Sequence, residues 1–460
     1  MELYVTEISK YVIASLLFLY TVMAFLAFKY RSREARTNIY ATQIVLMFLI
    51  QLACFVQIIA RTGKVLYLFF FAFQIVVFSA VLMLFYFIYP DGNRLIINNC
   101  CLLLMIGVII LTRLSYDKAV KQFVIVAVSF LIGFFIPEMI FRFNFLKRFT
   151  WIYAGVGIAA IGVVLILGAT INGSKLNYAI AGVSFQPSEF VKVLFLFFLS
   201  GAFYKAKGFV DLMIASAVAA LHVIILVLSK DLGSALIFFM LYLALIYIST
   251  ENVGFFILGL GFATLASAIS YKLFSHIQVR VHAWMDPFSD ITGTGYQLSQ
   301  SLFGISSGGL FGLGLYGGSP KSIPFVETDF IFSAIAEEMG ILFSVLMILV
   351  CLSTFLLIMQ EGYYIHDKFY RMIICGIGIS FIFQTFLTIG GGAKFIPLTG
   401  VTLPLISYGG SSVLVTIVMI MIVEGICMIG SDERYEEYLE ERRRYERKRN
   451  RYERYEDEEY

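Results

Sequence analysis

Long apolar runs separated by short polar segments fill the chain from residue 11 to residue 429. Each run approaches the roughly 20 residues that an α-helix needs to cross a bilayer, so the pattern predicts thirteen membrane-spanning helices. The predicted spans cover residues 11–28, 39–60, 65–89, 95–112, 119–137, 150–171, 189–204, 210–228, 232–249, 253–273, 329–358, 371–389 and 412–429. The expected fold class is an all-α polytopic membrane protein.

Composition supports this fold class. Hydrophobic residues make up 60% of the 460 residues and charged residues only 14%, whereas soluble domains carry about a quarter charged residues. The first apolar run has no small-residue cleavage site and is followed by a basic segment, residues 29–36, which favours a retained span over a signal peptide. The six cysteines and four histidines are scattered, so the sequence predicts no dedicated metal site.

Basic residues predict the orientation of the bundle. Segments 29–36, 142–148, 205–207 and 368–371 are basic, and all fall on one side if thirteen spans alternate. Basic loops favour the cytoplasmic side, so the N-terminus and three long loops, residues 172–188, 275–328 and 390–411, are expected outside. The C-terminal tail, residues 431–460, carries twelve acidic and nine basic residues and is expected to be a solvated helix or disordered segment on the cytoplasmic side.

Two of the outer loops are unlike ordinary connections. Loop 275–328 is rich in Gly, Ser and Asp and contains an apolar stretch at residues 296–313; loops of this length in compact proteins are usually functional. Glycine-rich backbone at membrane depth is tolerated only where it is buried in protein or lines a wet cavity, so the loop is expected to fold back into the bundle. Two prolines and three glycines in residues 395–412 predict a broken, re-entrant element.

Asp329 is the first candidate for chemistry because it begins a predicted span. A helix N-terminus would keep its carboxylate ionised, whereas burial at the membrane edge would raise its pKa toward that of a general base. Lys321 and Arg280 lie on the same predicted side and are suited to hold an anion such as pyrophosphate. The alternative interpretation is that Asp329 only caps its helix.

Two shorter outer segments carry further polar residues. Glu189 and Lys192 are three residues apart and therefore share one helix face, where they can pair. Because an isolated charge at mid-bilayer costs about 2.5–3.5 kcal/mol, this pair is either a structural ion pair or part of a substrate cavity. Asp231 lies in a tight turn between two spans, where a helix cap is favoured over a cavity-facing anion.

Taken in order, several motifs together resemble the SEDS family (shape, elongation, division and sporulation), whose division and elongation members are FtsW and RodA. The motifs are Phe-Gln-Pro-Ser-Glu, Asp-Leu-Gly-Ser, Asp-Pro-Phe-x-Asp, Gly-x-Gly-Tyr-Gln, Ser-Gly-Gly-Leu-Phe-Gly, Thr-Asp-Phe-Ile-Phe, Glu-Glu-Met-Gly and Leu-Pro-Leu-Ile-Ser-Tyr-Gly-Gly-Ser-Ser. The resemblance covers about residues 95–429. Each motif is weak alone, but the ordered set is specific.

The resemblance implies a ten-span core that polymerises lipid II into peptidoglycan at the outer face of the bacterial cytoplasmic membrane, in cell division or cell-shape maintenance. The essential aspartate of the family falls on Asp329, its Glu-x-x-Lys pair on Glu189 and Lys192, and its Asp-Leu-Gly aspartate on Asp231. The expected organisation is an N-terminal transmembrane extension of about three spans (residues 1–94), the core (95–430) and the charged tail (431–460). The extra spans and the tail leave the choice between division and elongation open.

The expected activity is an inverting glycosyl transfer with Asp329 as the catalytic base. The candidate substrate-binding residues are Lys321, Arg280, Glu189, Lys192, Asp231, Asp286, Asp290, Gln297 and Ser411. A divalent cation such as Mg²⁺ or Mn²⁺ is left open as an aid at the pyrophosphate. The expected partners are lipid II, a class B penicillin-binding protein that acts as transpeptidase, and membrane lipid, but not nucleic acid. The alternatives are a lipid II flippase and a non-catalytic scaffold of the cell-wall machinery.

Overall fold

Long helices form almost the whole molecule. The computed structural model describes residues 2–30, 33–167, 169–171, 174–180 and 183–458. Within these residues, thirteen helical segments are long and apolar enough to cross a membrane. This number confirms the thirteen spans that the hydrophobic pattern predicts.

Three helices precede the predicted core: α1 (Glu2–Lys29), α2 (Arg33–Thr62) and α3 (Leu66–Ile88). The helices that follow are α4 (Arg94–Leu114), α5 (Tyr116–Gly133), α6 (Ile136–Arg142), α7 (Thr150–Leu167), α8 (Pro187–Lys205), α9 (Phe209–Leu228), α10 (Leu232–Thr250), α11 (Val253–Leu273), α12 (Ser275–Met285), α13 (Tyr296–Gly308), α14 (Ile331–Tyr364), α15 (Lys368–Gly392) and α16 (Gly410–Glu458). α5 and α6 together make one candidate span, whereas α12 and α13 belong to the long loop. α16 continues beyond the last span into the charged tail, so the helical alternative for the tail is the one observed.

The centre of the bundle is α4, almost all of whose residues are buried. It packs against α2, α5 and α14. Gly107 of α4 allows close approach of the non-helical segment 393–409, because a Cβ at this position would lie 2.6 Å from the carbonyl oxygen of Ile406. Leu403, Leu405 and Ile406 are at most 1% exposed. The segment therefore enters the bundle interior, as the sequence predicts for a re-entrant element.

A break in α14 at Gly340, where φ is +87°, explains how the long loop folds into the bundle. A Cβ at this glycine would lie 2.3 Å from the amide nitrogen of Gly312. The glycine-rich segment 309–314 replaces the helical hydrogen bonds that the break removes. It makes four main-chain hydrogen bonds of 2.8–3.1 Å with α14, in which the amide of the first residue donates to the carbonyl of the second: Leu313 to Glu337, Gly314 to Glu338, Ile341 to Gly309 and Leu342 to Leu310. Buried peptide groups thus stay paired across the break.

One predicted span is too long at its C-terminal end. The span predicted over residues 150–171 corresponds to α7, which ends at Leu167. Residues Ala169–Ile171 instead form strand β1, which pairs with β2 (Ser174–Ile180), and β2 pairs with β3 (Val183–Phe185), both antiparallel. Strand pairing supplies the backbone hydrogen bonds that a longer helix would have supplied. Strands β2 and β3 lie in the predicted outer loop 172–188, of which residues 172, 173, 181 and 182 lie outside the described residues.

Three of the predicted basic segments meet at one end of the bundle. Lys147 pairs with Asp367, which caps the start of α15. Lys205, at the end of α8, donates a hydrogen bond to the Thr150 hydroxyl at 3.0 Å. The segments 142–148, 205–207 and 368–371 therefore share one end, as the alternation of thirteen spans requires.

Candidate active site

Asp329 lies in the connection that leads into α14. The helix begins at Ile331, and its cap residue is Phe330, which makes no side-chain capping bond. The predicted start of the span at residue 329 is therefore wrong by two residues. The Phe330 amide donates to the Phe325 carbonyl at 3.3 Å, and this turn delays the start of the helix. Asp329 does not cap α14, so its carboxylate is available for other contacts.

The surroundings of Asp329 change its acidity. Its side chain is half-buried. Burial raises the pKa of the Asp329 carboxyl to about 6, although the Thr328 side-chain hydrogen bond and the positive charge of Arg280 both lower it. A carboxylate with a pKa near 6 is largely ionised at neutral pH and is more basic than a free aspartate. These are the properties of a general base.

The re-entrant segment holds the Asp329 connection in place. The Ser407 hydroxyl donates to the Thr328 carbonyl at 2.5 Å, and the Tyr408 amide donates to the Glu327 carbonyl at 2.7 Å. The Glu327 side chain also pairs with Lys118 of α5 at 3.0 Å. The two residues before Asp329 are therefore bonded to the bundle interior, which restricts the position of the carboxylate.

Arg280 of α12 is the cation that lies beside Asp329. Its Nη1 donates to the carbonyls of Leu398 and Thr399 at 3.1 and 3.2 Å. A Cβ added at Gly400 would lie 3.9 Å from both Arg280 Nη2 and Asp329 Oδ2. Burial lowers the pKa of the Arg280 guanidinium, whereas the charges of Asp329 and Asp231 raise it. The absence of a side chain at Gly400 thus leaves space next to both the guanidinium and the carboxylate.

The predicted pair of Glu189 and Lys192 is formed and buried. Lys192 Nζ lies 2.7 Å from Glu189 Oε2 and also donates to Gln384 Oε1 at 2.9 Å. Gln384 Nε2 in turn donates to the Thr402 carbonyl of the re-entrant segment at 3.0 Å. Gln384 was not among the predicted site residues. Its sequence signal is a glutamine within an apolar span, which by itself does not distinguish a site residue from a structural one.

Asp231 caps α10, as the turn pattern favours. Its side chain accepts the Ser234 amide at 3.1 Å and the Ser188 hydroxyl at 2.9 Å. Burial raises the pKa of Asp231, and the hydrogen bonds from Ser234 and Ser188 oppose that effect. The neighbouring Gln186 amide donates to the Ser411 hydroxyl at 3.1 Å. Asp231 therefore connects the start of α10 to the start of α8, and Gln186 connects the start of α8 to the start of α16.

Four of the predicted substrate-binding residues lie apart from this network. Asp286 accepts the Phe288 amide at 3.2 Å, and Asp290 accepts the Thr294 amide at 2.7 Å. The main-chain amide and the hydroxyl of Thr294 both donate to Asp290, and these two hydrogen bonds lower the pKa of this exposed carboxyl. Lys321 is exposed on a 3₁₀ turn, and Gln297 is half-buried near the start of α13. Among the described residues, neither side chain makes a hydrogen bond or an ion pair with the groups around Asp329. Their contact with substrate stays a prediction.

Metal ligands are sparse around Asp329. In the part of the chain that the structure describes, no three His, Cys, Asp or Glu side chains gather closely enough to hold a metal ion. Asp329 and Asp231 both interact with the Arg280 guanidinium instead. Positive charge beside Asp329 is therefore supplied by the chain itself.

The fold defines a polytopic membrane protein, and its predicted outer loops gather charged and polar side chains around Asp329 and Arg280. Residues 93–431 match the model of the FtsW/RodA/SpoVE family, described as cell cycle proteins. The match covers well over half of the chain. The chain belongs to the FtsW/RodA/SpoVE family.

Individual relatives agree with this family. The peptidoglycan glycosyltransferase RodA of Mycobacterium bovis is 32% identical over 300 residues, which cover 61% of this chain and 64% of that protein. The chain therefore spans just under two thirds of the length of this relative. The probable peptidoglycan glycosyltransferase FtsW of Tolumonas auensis is 35% identical over 264 residues, which cover 55% of this chain and 68% of the relative.

A solved structure shares the fold. Its description concerns the structural coordination of polymerisation and crosslinking by a peptidoglycan synthase complex. This chain aligns with it at a TM-score of 0.63 and 23% sequence identity. The alignment covers 75% of this chain and 98% of the solved chain. At this level of identity the likeness concerns the arrangement of helices alone.

Proposed function

We propose that this chain is a peptidoglycan glycosyltransferase that polymerises lipid II, the undecaprenyl-pyrophosphate-linked disaccharide peptide, into glycan strands. The observation that carries the proposal is that Asp329 Oδ2 and Arg280 Nη2 each lie 3.9 Å from the position of a Cβ at Gly400, in a chain of the FtsW/RodA/SpoVE family. Relatives named as peptidoglycan glycosyltransferases support the reaction class.

The proposed step is an inverting displacement. The 4-hydroxyl of the acceptor N-acetylglucosamine attacks the anomeric carbon of the growing chain, and the bond from that carbon to the pyrophosphate oxygen breaks. Asp329 accepts the hydroxyl proton, a contribution of about 10²–10⁴-fold for a positioned base. Arg280 stabilises the negative charge that develops on the departing undecaprenyl pyrophosphate.

The polar residues linked through the re-entrant segment form the proposed walls of the substrate cavity. Lys192 reaches that segment through Gln384. The Ser411 hydroxyl, at the start of α16 directly after the segment, accepts the main-chain amide of Gln186. The charge of Asp231, like that of Asp329, raises the pKa of the Arg280 guanidinium. Glu189, Lys192, Asp231 and Ser411 are therefore proposed to shape the cavity in which Asp329 and Arg280 act.

The proposed setting is the outer face of the bacterial cytoplasmic membrane, with the N-terminus outside and the C-terminus cytoplasmic. The clustering of basic segments at the opposite end of the bundle supports this orientation. Residues 1–94 are proposed as an N-terminal extension, residues 95–430 as the catalytic core and residues 431–460 as a cytoplasmic tail. A class B penicillin-binding protein is the proposed partner, because the solved structure with this fold concerns coordinated polymerisation and crosslinking.

Supplying lipid II directly to the purified chain in detergent tests the proposal. We expect glycan polymer on a gel, since no membrane is needed for glycosyl transfer. A flippase would make no polymer but would move lipid II across the bilayer of reconstituted vesicles. A scaffold would do neither. Absence of polymer from folded protein, with and without a transpeptidase partner, would refute the proposed function.

Arg280→Ala is expected to reduce the polymerisation rate by about 10²-fold, because the charge on the leaving group loses its fixed donor. Lys321→Ala should change the rate by less than about threefold, since exposed charges contribute little. Initial rates with lipid II as substrate measure both effects. If Arg280→Ala keeps the wild-type rate, the proposed stabilisation of the departing pyrophosphate by Arg280 is wrong.

A further inference from the structure

The helices before the family-matched region contact the glycine-rich segment that fastens the break in α14. Gln57 of α2 is 1% exposed, and its Nε2 donates to the Leu315 carbonyl at 3.1 Å. Ser9 of α1 donates to Gln57 Oε1 at 2.9 Å, which orients the glutamine. The Tyr11 ring packs against the Phe311 ring with centroids 4.9 Å apart. Both α1 and α2 therefore hold residues 311–315.

The closest approach is at Gly314, where φ is +83°. A Cβ at this position would lie 2.4 Å from Thr6 Cγ2 of α1. Arg61 of α2 fixes Thr6 by donating to its hydroxyl at 3.0 Å. On its other side, the Gly314 amide donates to the Glu338 carbonyl at 2.8 Å. Gly314 is thus held between the N-terminal helices and the broken end of α14.

The part of α14 between the break and Asp329 is a short buried rod. Residues 331–339 are all buried, and nine helical residues span about 14 Å. At the broken end, the Glu338 carboxylate accepts the Tyr316 amide at 3.1 Å and the Glu337 carboxylate accepts the Ser319 amide at 2.6 Å. Asp329 lies just beyond the other end of the same rod. A displacement of the glycine-rich segment would therefore move the carboxylate.

Buried polar contacts farther along the bundle keep the N-terminal helices attached to the core. The Tyr20 hydroxyl of α1 donates to Asn99 Oδ1 at 2.9 Å. Asn99 Nδ2 donates to the hydroxyls of Ser353 and Thr354 in α14 at 2.9 and 3.1 Å. Hydrogen bonds between polar side chains stabilise the association of helices in lipid. The N-terminal helices are therefore joined to α4 and α14 as well as to the loop.

We propose that α1 and α2 form a built-in positioning element for Asp329: they hold the glycine-rich segment, which holds the rod that carries the catalytic connection. This role rests on the proposed function. It assigns a purpose to two of the three spans that lie outside the family-matched region. Gln57 is the central positioning residue because it is buried and bonded to Leu315, the residue that directly follows the segment.

The test compares Gln57→Leu with Gln51→Leu in the full chain. Gln51 lies on the same helix, is 0% exposed, and donates to Gln74 of α3 at 3.0 Å, so its loss affects only the N-terminal helices. Gln57→Leu should lower kcat for lipid II polymerisation by about tenfold or more with little change in KM, because small misplacements of a catalytic group are costly. Gln51→Leu should stay within about twofold of wild type.

Hydrogen exchange supplies a measurement that does not depend on activity. The amides of Leu313 and Gly314 should exchange at least about tenfold faster in Gln57→Leu, whereas amides in α15 should be unchanged. Tyr11→Leu, which removes a ring contact at a residue 47% exposed, serves as a second variant if Gln57→Leu does not fold. Its kcat and exchange should shift in the same direction.

The outcomes separate the two proposals. If the Leu313 and Gly314 amides exchange at the wild-type rate in Gln57→Leu, α1 and α2 do not hold the glycine-rich segment. If these amides exchange faster but kcat stays at the wild-type value, the contact does not position Asp329. If Gln51→Leu loses as much kcat as Gln57→Leu, the effect of Gln57→Leu does not come from its hydrogen bond to Leu315. If the wild-type chain makes no polymer, the proposed function fails and the positioning role fails with it, while the exchange comparison still decides whether α1 and α2 hold the segment.

Discussion

Asp329→Asn is expected to reduce the rate of lipid II polymerisation by about 10²–10⁴-fold. The amide has nearly the shape of the carboxylate but cannot accept the acceptor's hydroxyl proton. Because Thr328 and Glu327 are held through their own carbonyls, the connection should keep its position in the variant. Initial rates in detergent, read as glycan polymer on a gel, measure the effect.

Asp117→Asn is a matched control for this substitution. Asp117 is an exposed carboxylate in the first turn of α5, near Lys118, which contacts the Asp329 connection. Its replacement should leave the rate within about twofold. A near-wild-type rate for Asp329→Asn would exclude the general-base role and would favour the flippase or scaffold alternatives.

The pKa of Asp329 also predicts a pH dependence. A general base acts in its deprotonated form, and burial raises the pKa of this carboxyl to about 6. The rate should therefore be highest above pH 6 and should fall about tenfold per pH unit well below it. Rates measured between about pH 5 and pH 8 test the expectation. A rate that is flat down to the pH at which a free aspartate titrates would contradict it.

Arg113→Ala is expected to lower the free energy of unfolding by about 3–5 kcal/mol, because it leaves the Glu338 carboxylate buried without its partner. The two side chains are 10% and 1% exposed and lie 2.9 Å apart. Arg113 also donates to the Gly318 carbonyl at 3.2 Å and stacks on the Tyr316 ring at 4.2 Å. Thermal unfolding of purified protein in detergent measures the loss.

Arg142→Ala is the control for this prediction. Arg142 pairs with Glu138, but these side chains are 72% and 40% exposed, so its loss should cost less than about 1 kcal/mol. Adding Glu338→Gln to Arg113→Ala should recover part of the lost stability, since the unpaired charge is removed. Equal losses for Arg113→Ala and Arg142→Ala would show that burial of the Glu338 charge is not the cause.

Local sequence patterns predicted two side-chain contacts correctly. The spacing of Glu189 and Lys192 predicted their ion pair because residues three apart face each other on any helix. The turn pattern predicted that Asp231 caps α10 because capping depends on neighbours in sequence. The start of α14 was misplaced by two residues, because the turn from Phe325 to Phe330 is not marked by Gly, Asn or Pro at the helix boundary.

Contacts distant in sequence were not predictable in the same way. Arg280 and Lys321 were equivalent candidates by charge and predicted side, but only Arg280 lies beside Asp329, at Gly400. Gln384 joins Lys192 to the re-entrant segment, yet its sequence neighbours are those of an ordinary span. Such contacts depend on how distant segments pack against one another, and a single sequence does not show that packing.

The sequence by itself determined the class of fold, because a helix needs about 20 consecutive apolar residues to cross the hydrocarbon core of a bilayer. That requirement predicts the thirteen spans and their approximate bounds. Helix spacing and capping preferences predict the local polar contacts. Only the tertiary structure decided which spans are central: α4 is almost wholly buried, whereas most of α11 is exposed. Lipid and protein interior are both apolar, so hydropathy cannot tell these two helices apart. The same reason explains why the break at Gly340 and its attachment to α1 and α2 appear only once the helices are packed.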